Sequence, residues 1–527
     1  MALLVSDISV GLDEDQDRCF EKAVQMLSVP QAEVLELWTA RRAIDARRKN
    51  DIRFVYTVGV RLRDESRASQ NAHIRPLQEY IPPTGPGTEK LRGRPVIAGF
   101  GPAGMFCALL LARRGFRPLV LEKGRTVAER AAAVETFWQG GELDPIANVQ
   151  FGEGGAGTFS DGKLTTRIHD PRCGYILQEL AAHGAPREIL RDAKPHIGTD
   201  ILREVIVSIR EEILTLGGEI RFCTALEGIE TAGGRLCAIK AGGEQIETDC
   251  LVLAAGHSAG EVFTMLSTAG VPMEAKPFSV GVRIEHLQSD IDRGLYGANA
   301  GHPLLPAGEY QLSYRDPQGR AVYTFCMCPG GTVVPSSSAE REIVTNGMSL
   351  YARDGKNANA ALVASVDSRD FGNDPMQALR WQHELETRAW RLAGGSFRAP
   401  MQSAGRFLHG CKGYELGRVE PSYSLGICEG DFDCLFPNGI AERLRDGLRC
   451  FGRRIPGFDA PDALLTAPET RTSSPIRILR EEGFTSPAVD GLYPAGEGAG
   501  YAGGIVSAAA DGLRIAEKLI AVYKPFD

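Results

Sequence analysis

The chain has 527 residues, 43% of them hydrophobic and 24% charged, with a formal net charge of −8 at pH 7. This length and composition describe a folded protein with room for more than one core, and they exclude a chain that is disordered over most of its length. The acidic balance argues against a surface dominated by nucleic-acid binding, and no apolar run approaches the ~18 residues of a membrane span.

Two residue types are informative by their number and spacing. The 61 glycines predict many tight turns or close approaches of the backbone. The 12 cysteines include no Cys-x-x-Cys pair, so they predict neither a disulfide framework nor a zinc or iron–sulfur site, and we expect no metal. The first residues lack the basic region of a secretory signal, so the cytoplasm is the expected compartment.

The first part of the chain, residues 1–80, predicts a small α+β module. Within it, 16–28 and 31–48 are interpreted as two helices, and the alternating, β-branched residues 51–62 predict a strand. Residues 81–94 concentrate proline and glycine and predict a linker. A separate module is therefore expected ahead of the main body of the protein.

The rest of the chain alternates strands and helices. Residues 95–122 predict a strand, a glycine turn, a helix and a second strand, which together make a βαβ unit. Residues 199–218 predict a helix, 234–256 a hairpin followed by a buried strand, and 490–522 a strand, a glycine turn and a helix. The mixed stretch 260–465 between these parts is expected to be an inserted domain.

The strongest motif is GFGPAG, residues 99–104, followed by an acid, Glu122, at the end of the next strand. Gly99 would make the tight turn, Gly101 would let a pyrophosphate reach the backbone, and Gly104 would let the helix lie close to the sheet. The helix N-terminus would hold the diphosphate, and Glu122 would bind ribose hydroxyls and repel a 2′-phosphate. Because the strands, helix and acid are all present, this segment predicts a dinucleotide site.

Two further glycine-rich stretches, 152–157 and 498–503, match the same spacing without a βαβ context, so neither predicts a second dinucleotide fold. Bare backbone at Gly155 and Gly157 could instead lie against a flat flavin ring or its ribityl chain. The helix that begins after Gly503-Gly504-Ile505 would aim N–H groups and a positive dipole at the N1–C2=O edge of the flavin. A surface turn remains the alternative for either stretch.

Together with LVLAAGHSA (251–259) and the closing GLYPAGEGAGYAGGI, these segments resemble glutathione-reductase-type FAD proteins. More closely, the chain resembles a bacterial family of FAD-dependent dehydrogenases, and the resemblance covers nearly the whole sequence. The stretches that carry it are IDARRKNDIRFVYTV (44–58), FGEGGAGTFSDGKLTTR (151–167), FSVGVRIEH (278–286), FCMCPGGTVV (325–334), NGMSLYARDGKNANAALV (346–363) and ETRTSSPIRI (469–478).

The predicted fold class is therefore α/β, with a discontinuous, three-layer Rossmann-type FAD domain. Its two parts are expected at 93–260 and 466–527. An inserted mixed α+β substrate or cap domain is expected between them at 261–465, and the N-terminal α+β module precedes them all.

The resemblance implies a set of FAD-binding residues. Glu497 stands where many related flavoproteins place an aspartate on the ribityl hydroxyls, and it is one methylene longer. Lys163 could neutralise a phosphate or the reduced flavin, or it could be a solvated lysine. The expected cofactor-binding residues are Gly99, Gly101, Pro102, Ala103, Gly104, Glu122, Lys123, Arg125, Gly155, Gly157, Thr158, Lys163, Leu226, Ala255, Gly256, Gly496, Glu497, Gly503, Gly504 and Ile505.

Several other residues leave two interpretations open. Cys326 and Cys328 lie two apart on a predicted strand, so both thiols share a face and could be a redox pair or ordinary core residues. His286 could be an acid–base group or a structural histidine, and His257 a structural residue or one near the ribose. Arg471 and Arg477 could hold an anionic substrate or could fix a loop onto carboxylates.

The sequence predicts an FAD-dependent oxidoreductase that transfers hydride between an unidentified small-molecule substrate and flavin N5, with NAD(P)H as a possible transient electron donor. It predicts no catalytic residue and no oligomeric state. One alternative is a flavin-containing RNA-modification or RNA-binding factor, although a solvated face is the more ordinary interpretation of its basic cluster. That cluster comprises Arg41, Arg42, Arg47, Arg48 and Lys49. A second alternative is a flavin-based redox sensor without turnover.

Overall fold

The computed structural model describes residues 2–69 and 71–525. Its first part is an antiparallel sheet of order β2-β3-β1-β4 with a helix packed on one face. These elements are β1 (Leu3–Gly11), α1 (Arg18–Leu27), β2 (Val34–Asp45), β3 (Arg53–Leu62) and β4 (Ile74–Pro76).

The predicted helix over 31–48 is wrong. A 3-10 turn at Gln31–Glu33 leads into β2, which pairs with β3 along its whole length. The residues of β3 are strongly β-forming, and an antiparallel partner satisfies their backbone groups, so this long-range pairing overrides the local helical spacing. The predicted helix at 16–28 and the predicted strand at 51–62 are confirmed by α1 and β3.

The open edge of β2 is covered at one point by a segment far along the chain. The backbone N–H of Arg42 donates to Arg191 O (2.6 Å), and Arg42 O accepts from the N–H of Ala193 (2.8 Å). The Arg42 side chain is also paired with Asp192, at 2.9 Å. The N-terminal sheet is thereby joined to the main body through backbone and side chain together.

The main body begins after the proline- and glycine-rich stretch 81–94. The predicted βαβ unit, the helix over 199–218 and the hairpin over 234–256 are confirmed. In chain order its first elements are β5 (Val96–Ala98), α2 (Pro102–Arg113), β6 (Leu119–Leu121), α3 (Val127–Trp138), α4 (Arg172–Ala182), α5 (Thr199–Thr215), β7 (Glu219–Arg221), β8 (Leu226–Ala232), β9 (Arg235–Ala241), β10 (Glu244–Glu247), β11 (Leu251–Leu253) and α6 (Gly260–Thr268).

The middle of the chain is mixed α and β. Its elements are β12 (Met273–Ala275), β13 (Phe278–Leu287), α7 (Gln288–Tyr296), β14 (Ser313–Arg315), β15 (Ala321–Cys328), β16 (Thr332–Pro335), β17 (Thr345–Met348), β18 (Asn357–Val366), α8 (Ser368–Phe371), α9 (Pro375–Leu392), β19 (Ala399–Ser403), α10 (Ala404–Leu408), β20 (Ile427–Glu429), α11 (Phe432–Leu435), α12 (Ile440–Gly452), β21 (Leu464–Glu469) and β22 (Ile476–Ile478). The chain then closes with β23 (Leu492–Pro494) and α13 (Ile505–Val522).

A five-stranded parallel sheet of order β23-β11-β5-β6-β7 forms the centre of a three-layer unit. Alternate residues of its short strands face opposite layers. Ile97 and Val252 pack with α2, α4, α5 and α13, whereas Val96 and Leu251 pack with β8, β9 and α6. The last strand of this sheet comes from the C-terminal part of the chain, so the first and last parts share one core.

The middle of the chain forms a seven-stranded sheet of order β14-β15-β18-β13-β21-β19-β20. In its central strand β13, Val280, Val282 and Ile284 lie in the apolar core with α9 and α12. Alternation places Arg283 and Glu285 on the other face, and both are fully buried. Within residues 2–69 and 71–525, no helix is both long and apolar enough to cross a membrane.

Helices α2 and α13 approach each other closely at Gly512. A Cβ at this position would lie 2.0 Å from Ala103 O, which is closer than any real contact allows. Replacing glycine by alanine inside a helix ordinarily stabilises it by about 1 kcal/mol. At Gly512, the clash with the backbone of α2 must make the same substitution destabilising.

We therefore expect Gly512→Ala to lower the thermal denaturation midpoint by on the order of 5 °C, because overpacking costs about 1–3 kcal/mol. Gly174→Ala, within α4 and with no atom within 4 Å of its Cβ position, is the matched control and should be neutral or stabilising. Differential scanning fluorimetry of both variants measures the contrast. A Gly512→Ala protein as stable as the control would contradict the packing argument.

Candidate functional site

The turn after β5 requires glycine at two positions for reasons internal to the fold. Gly99 has φ +105°, and a Cβ there would lie 2.3 Å from Ala254 O. A Cβ on Gly104 would lie 1.9 Å from Gly99 O, so only glycine lets α2 lie this close to the strand. At Gly101, in contrast, a Cβ would meet only Gly155 Cα, at an ordinary 3.7 Å. The fold therefore does not itself demand glycine at Gly101.

Segments distant in the sequence converge on this turn. The N–H of Gly154 donates to Phe100 O at 2.9 Å, which joins the second glycine-rich stretch to the first. A Cβ on Gly157 would lie 3.1 Å from Ile505 Cγ1, at the start of α13. We call residues 99–104, 152–158, 254–258 and 496–505 the glycine cradle.

The remaining two segments of the glycine cradle meet each other as closely. A Cβ on Gly498 would lie 2.4 Å from Gly256 O, and one on Gly496 would lie 2.8 Å from Ala103 Cβ. Gly503 has no atom within 4 Å of its Cβ position. Several members of the cradle are partly exposed, among them Gly101, Pro102, Gly155, Gly157, Ala255, Gly256, Gly504 and Ile505.

Glu122 is buried at the base of the turn. Its Oε2 accepts from the N–H of Phe100 and its Oε1 from the N–H of Gly124, both at 2.8 Å. Each carboxylate oxygen keeps a further lone pair for another donor. The N–H of Thr224 donates to Glu122 O, two residues before Leu226 at the start of β8, so this stretch runs beside the acid.

The two basic residues next to Glu122 have protein partners. Lys123 lies 4.0 Å from the ring centre of Phe151 and is paired with Glu261. Arg125 Nε lies 3.1 Å from Asp144 Oδ2. These contacts fix the loop after β6, which carries the acid.

Arg130 organises the second glycine-rich stretch and was not identified from the sequence. Its guanidinium is fully buried in α3 and donates to the backbone carbonyl groups of that loop. Five carbonyls accept from it, those of Asn148, Val149, Gly152, Glu153 and Gly155, at 2.7–3.2 Å. The sequence contains no signal for this role, because backbone carbonyls can accept from Arg130 whatever the side chains of their residues are. Thr158 is buried against the same loop, with its Oγ1 donating to Glu153 O at 3.2 Å.

The opposite end of the glycine cradle carries a carboxyl and an imidazole. His257 Nδ1 lies 3.7 Å from Glu497 Oε1, and His257 Nε2 is buried without a partner among the described residues. Burial raises the pKa of Glu497 to about 7, against an opposing pull from Lys276. Burial, with a smaller contribution from Arg471, lowers the pKa of His257 to about 3, so its imidazole is neutral at physiological pH.

Arg471 holds a carboxylate of the protein. Its Nε and Nη2 donate to the two oxygens of Glu386, both at 2.7 Å, while its buried Nη1 has no partner in the described chain. Ligand atoms of Glu342, His383 and Glu386 lie within 4.8 Å of one another, but a cation there would face this guanidinium. Of the two interpretations of Arg471, the structure therefore supports the fixing of a loop onto carboxylates and not the binding of an anionic substrate.

Arg477 also has an acidic partner. Its Nη1 lies 3.2 Å from Glu274, and its guanidinium lies over the ring of Tyr501. Lys163 pairs with Asp161 at 3.2 Å and Glu309 at 3.0 Å, so it belongs to a charge cluster rather than being a solvated lysine.

His286 is a structural histidine. It is buried on the apolar face of β13, and its Nε2 lies 2.7 Å from Phe458 O. Burial lowers the pKa of His286 to about 4. It therefore lies on the other face of the strand from the polar side chains of Arg283 and Glu285.

Glu497 gives a prediction about pH. Because its folded pKa is raised from 4.5 to about 7, its contribution to stability is full below pH 4.5 and is lost as the pH rises to about 7. Glu497→Gln removes this loss. The variant should therefore gain about 1–3 kcal/mol on the parent protein between pH 5 and pH 8, as measured by chemical denaturation at both values. A difference that does not change with pH would show that Glu497 ionises normally.

Comparisons with known proteins agree with parts of this picture. Residues 277–472 match the family described as FAD-dependent protein, C-terminal domain-like, and residues 3–61 match a Domain of unknown function (DUF8436). The solved structure of CtdE in complex with FAD is 13% identical, covers 81% of this chain and 83% of that chain, and gives a TM-score of 0.33. Glycine oxidase from Bacillus cereus is 11% identical, with coverages of 81% and 95% and a TM-score of 0.31. Likenesses this weak support no inference about the site.

A full-length relative is much closer in sequence. A protein from Clostridium beijerinckii described as "Uncharacterized protein" is 45% identical over 526 residues, which is 99% of each chain. The chain belongs to the same family as this Clostridium protein, and its residues 277–472 are similar to the C-terminal domain of FAD-dependent proteins.

Proposed function

We propose that this protein is an FAD-dependent oxidoreductase of the bacterial FAD-dependent dehydrogenase type, acting on a small molecule. The observation that carries the proposal is the pair Gly101 and Gly503. Both are bare backbone in the glycine cradle, and the protein leaves ordinary room for a Cβ at each. Neither has a left-handed φ that would require glycine. A bound group that touches the backbone there supplies the missing reason.

The start of α2 fits a diphosphate. Pro102 is the first helical residue and the N-cap, Gly101, offers no side chain, so the N–H groups of the first turn have no side-chain cap. The first turn contains no acidic residue that would repel an anion. The free N–H groups and the positive end of the helix would hold the diphosphate, and Glu122 would bind the adenosine ribose.

The start of α13 fits the flavin ring. Its N-cap is Gly504, again without a side-chain cap, and its first turn contains no acid. The ring would lie beside Gly503 and Ile505, with Gly155 and Gly157 along the ribityl chain. The positive end of α13 would stabilise negative charge on the adjacent edge. When bound, FAD would supply the N5 atom that accepts or donates hydride.

Glu497 is the proton-handling group we propose beside the flavin, with the neutral imidazole of His257 next to it. A carboxyl whose pKa is about 7 can hold or release a proton at neutral pH, and its Oε1 lies 3.7 Å from His257 Nδ1. The substrate is a small molecule, and NAD(P)H would serve as a transient donor.

The RNA-binding alternative gains no specific support, since Arg42 is paired with Asp192 and Arg47 with Asp45.

Substitution of the two glycines tests cofactor binding. Gly101→Val and Gly503→Val should each lower the FAD released per protein on denaturation by at least about tenfold, because a side chain would occupy the space of the cofactor. Gly85→Val, at another glycine with no atom within 4 Å, is the matched control and should retain FAD. Circular dichroism checks that all three fold. Full FAD content in both cradle variants would contradict the proposed placement.

The reaction is tested separately on the purified protein. Anaerobic titration with NADH, NADPH and pools of metabolites should bleach the flavin absorbance with at least one donor. Purified protein that contains no flavin would overturn the whole proposal. Flavin that no donor reduces, together with partner binding that depends on its redox state, would favour the sensor instead of the oxidoreductase.

A further inference from the structure

Two cysteines lie at an irregularity in β15. The pairing of β15 with β18 passes from Phe325 opposite Ala361 directly to Cys328 opposite Asn359, which marks a bulge. Cys326, within the bulge, has φ +42°, a conformation that residues with a Cβ rarely adopt. Strained backbone of this kind is retained where the surroundings hold it in place, and it concentrates at functional sites.

The bulge brings the two thiols together. Cys328 Sγ donates to the backbone O of Cys326 at 3.4 Å, so the second thiol lies against the residue that carries the first. Cys328 is fully buried, whereas Cys326 is partly exposed. The bulge thus brings one residue of the pair partly to the surface while its neighbour stays in the core.

A fixed cation lies against the buried thiol. Arg283 Nη2 is 3.4 Å from Cys328 Sγ and 2.6 Å from Cys326 O, and its Nε donates to Asn359 Oδ1 at 3.0 Å. Its Nη1 lies 3.5 Å from Glu469 and has no hydrogen-bond partner among the described residues. The guanidinium, with no exposed side-chain surface, is therefore held in one orientation.

The surrounding charges favour a thiolate at Cys328. The facing groups are Arg283 on β13, Lys163 and Asp161 on the loop before α4, and Glu469 on β21. Hydrogen bonding with Cys326 and the positive charges of Arg283 and Lys163 lower the pKa of Cys328, against burial and Asp161. The same hydrogen bond and burial raise the pKa of Cys326. One proton is thus shared by two sulfurs, and a thiolate is the reactive form of cysteine.

We propose that Cys326 and Cys328 are a reversible dithiol–disulfide couple that exchanges with small-molecule disulfides, with Arg283 as the positioning residue for the Cys328 thiolate. This proposal does not rest on FAD binding.

The exchange takes place in two steps. Cys326 first gives its proton to the Cys328 thiolate, and the resulting Cys326 thiolate attacks a disulfide RS–SR. The Cys326–SR bond forms, the S–S bond of RSSR breaks, and the leaving RS⁻ takes the proton from Cys328 as RSH, which restores the Cys328 thiolate. The Cys328 thiolate then attacks Cys326 sulfur, the Cys326–SR bond breaks, and the second RS⁻ takes a proton from water. Two electrons pass from the protein sulfurs to RSSR, which yields two RSH and one protein disulfide. Excess thiol reverses both steps.

The test uses the full-length protein in buffers of reduced and oxidised glutathione, followed by alkylation and peptide mass spectrometry. Trypsin releases residues 321–341 as one peptide that contains both cysteines and no other. We expect this peptide to lose two hydrogens in a two-electron transition as the buffer becomes oxidising. The proposal is overturned if the peptide keeps two alkylatable thiols where the exposed Cys411 and Cys434 already carry glutathione.

Variants separate the roles of the two sulfurs. Cys328→Ser should leave Cys326 as a stable mixed disulfide with glutathione, because no second thiol resolves it. Cys107→Ser, at a buried cysteine in α2, is the matched control and should leave the couple unchanged. A Cys328→Ser protein that forms no mixed disulfide at Cys326 would contradict the first step.

The role of Arg283 is tested by titrating the Cys328 thiolate. The ultraviolet thiolate absorbance that disappears in Cys328→Ser should titrate below the usual pH range of a cysteine in the parent protein, and at a higher pH in Arg283→Lys. Lysine keeps the charge but loses the fork that contacts the sulfur and the carbonyl together. A Cys328 thiolate that appears only above pH 8 in the parent protein, or at the same pH in Arg283→Lys, would show that Arg283 does not position it.

Discussion

The contact between α2 and α13 is the constraint on which the rest of the structure depends. It places the first glycine turn and the last one side by side, although about 400 residues of chain separate them. Asp511 secures the arrangement from within α13, because its Oδ2 accepts from the N–H of Gly496 at 2.8 Å and its carboxylate is paired with Arg480. Without the close contact between α2 and α13, the glycine cradle would lack one side. The N-termini of the two helices could then not face one bound molecule.

The two faces of the seven-stranded sheet bury different kinds of side chain. One face is apolar and packs against helices, whereas the other buries Arg283, Glu285 and Glu469. Buried ions carry a desolvation penalty that their partners often only balance, so stability alone does not account for them. Several of their polar atoms, including Arg283 Nη1 and Glu469 Oε2, have no hydrogen-bond partner in the described chain. Packing alone therefore does not account for the charged side chains on this face.

Local patterns explain which parts of this protein were predictable. The βαβ unit follows from glycines and apolar runs that lie next to each other, and the structure contains it as predicted. Residues 31–48 were misinterpreted because their strand depends on pairing with β3, which the local spacing does not reveal. Arg130 was missed because its acceptors are backbone carbonyls. The spacing of Cys326 and Cys328 predicts a shared face only for a regular strand, and the bulge interrupts that alternation; the bulge and the guanidinium beside Cys328 depend on neighbouring strands.

The join at Arg42 has a consequence for the behaviour of the protein in concentrated solution. An uncovered outer strand offers its free N–H and C=O groups to any other extended chain, and this is a common route to aggregation. Arg191 and Ala193 occupy the N–H and C=O groups of one β2 residue, Arg42, and the exposed Arg41 adds a charge beside them. At this residue the edge of the N-terminal sheet is closed to another extended chain, and it stays closed only while the 191–193 segment of the main body is docked on it.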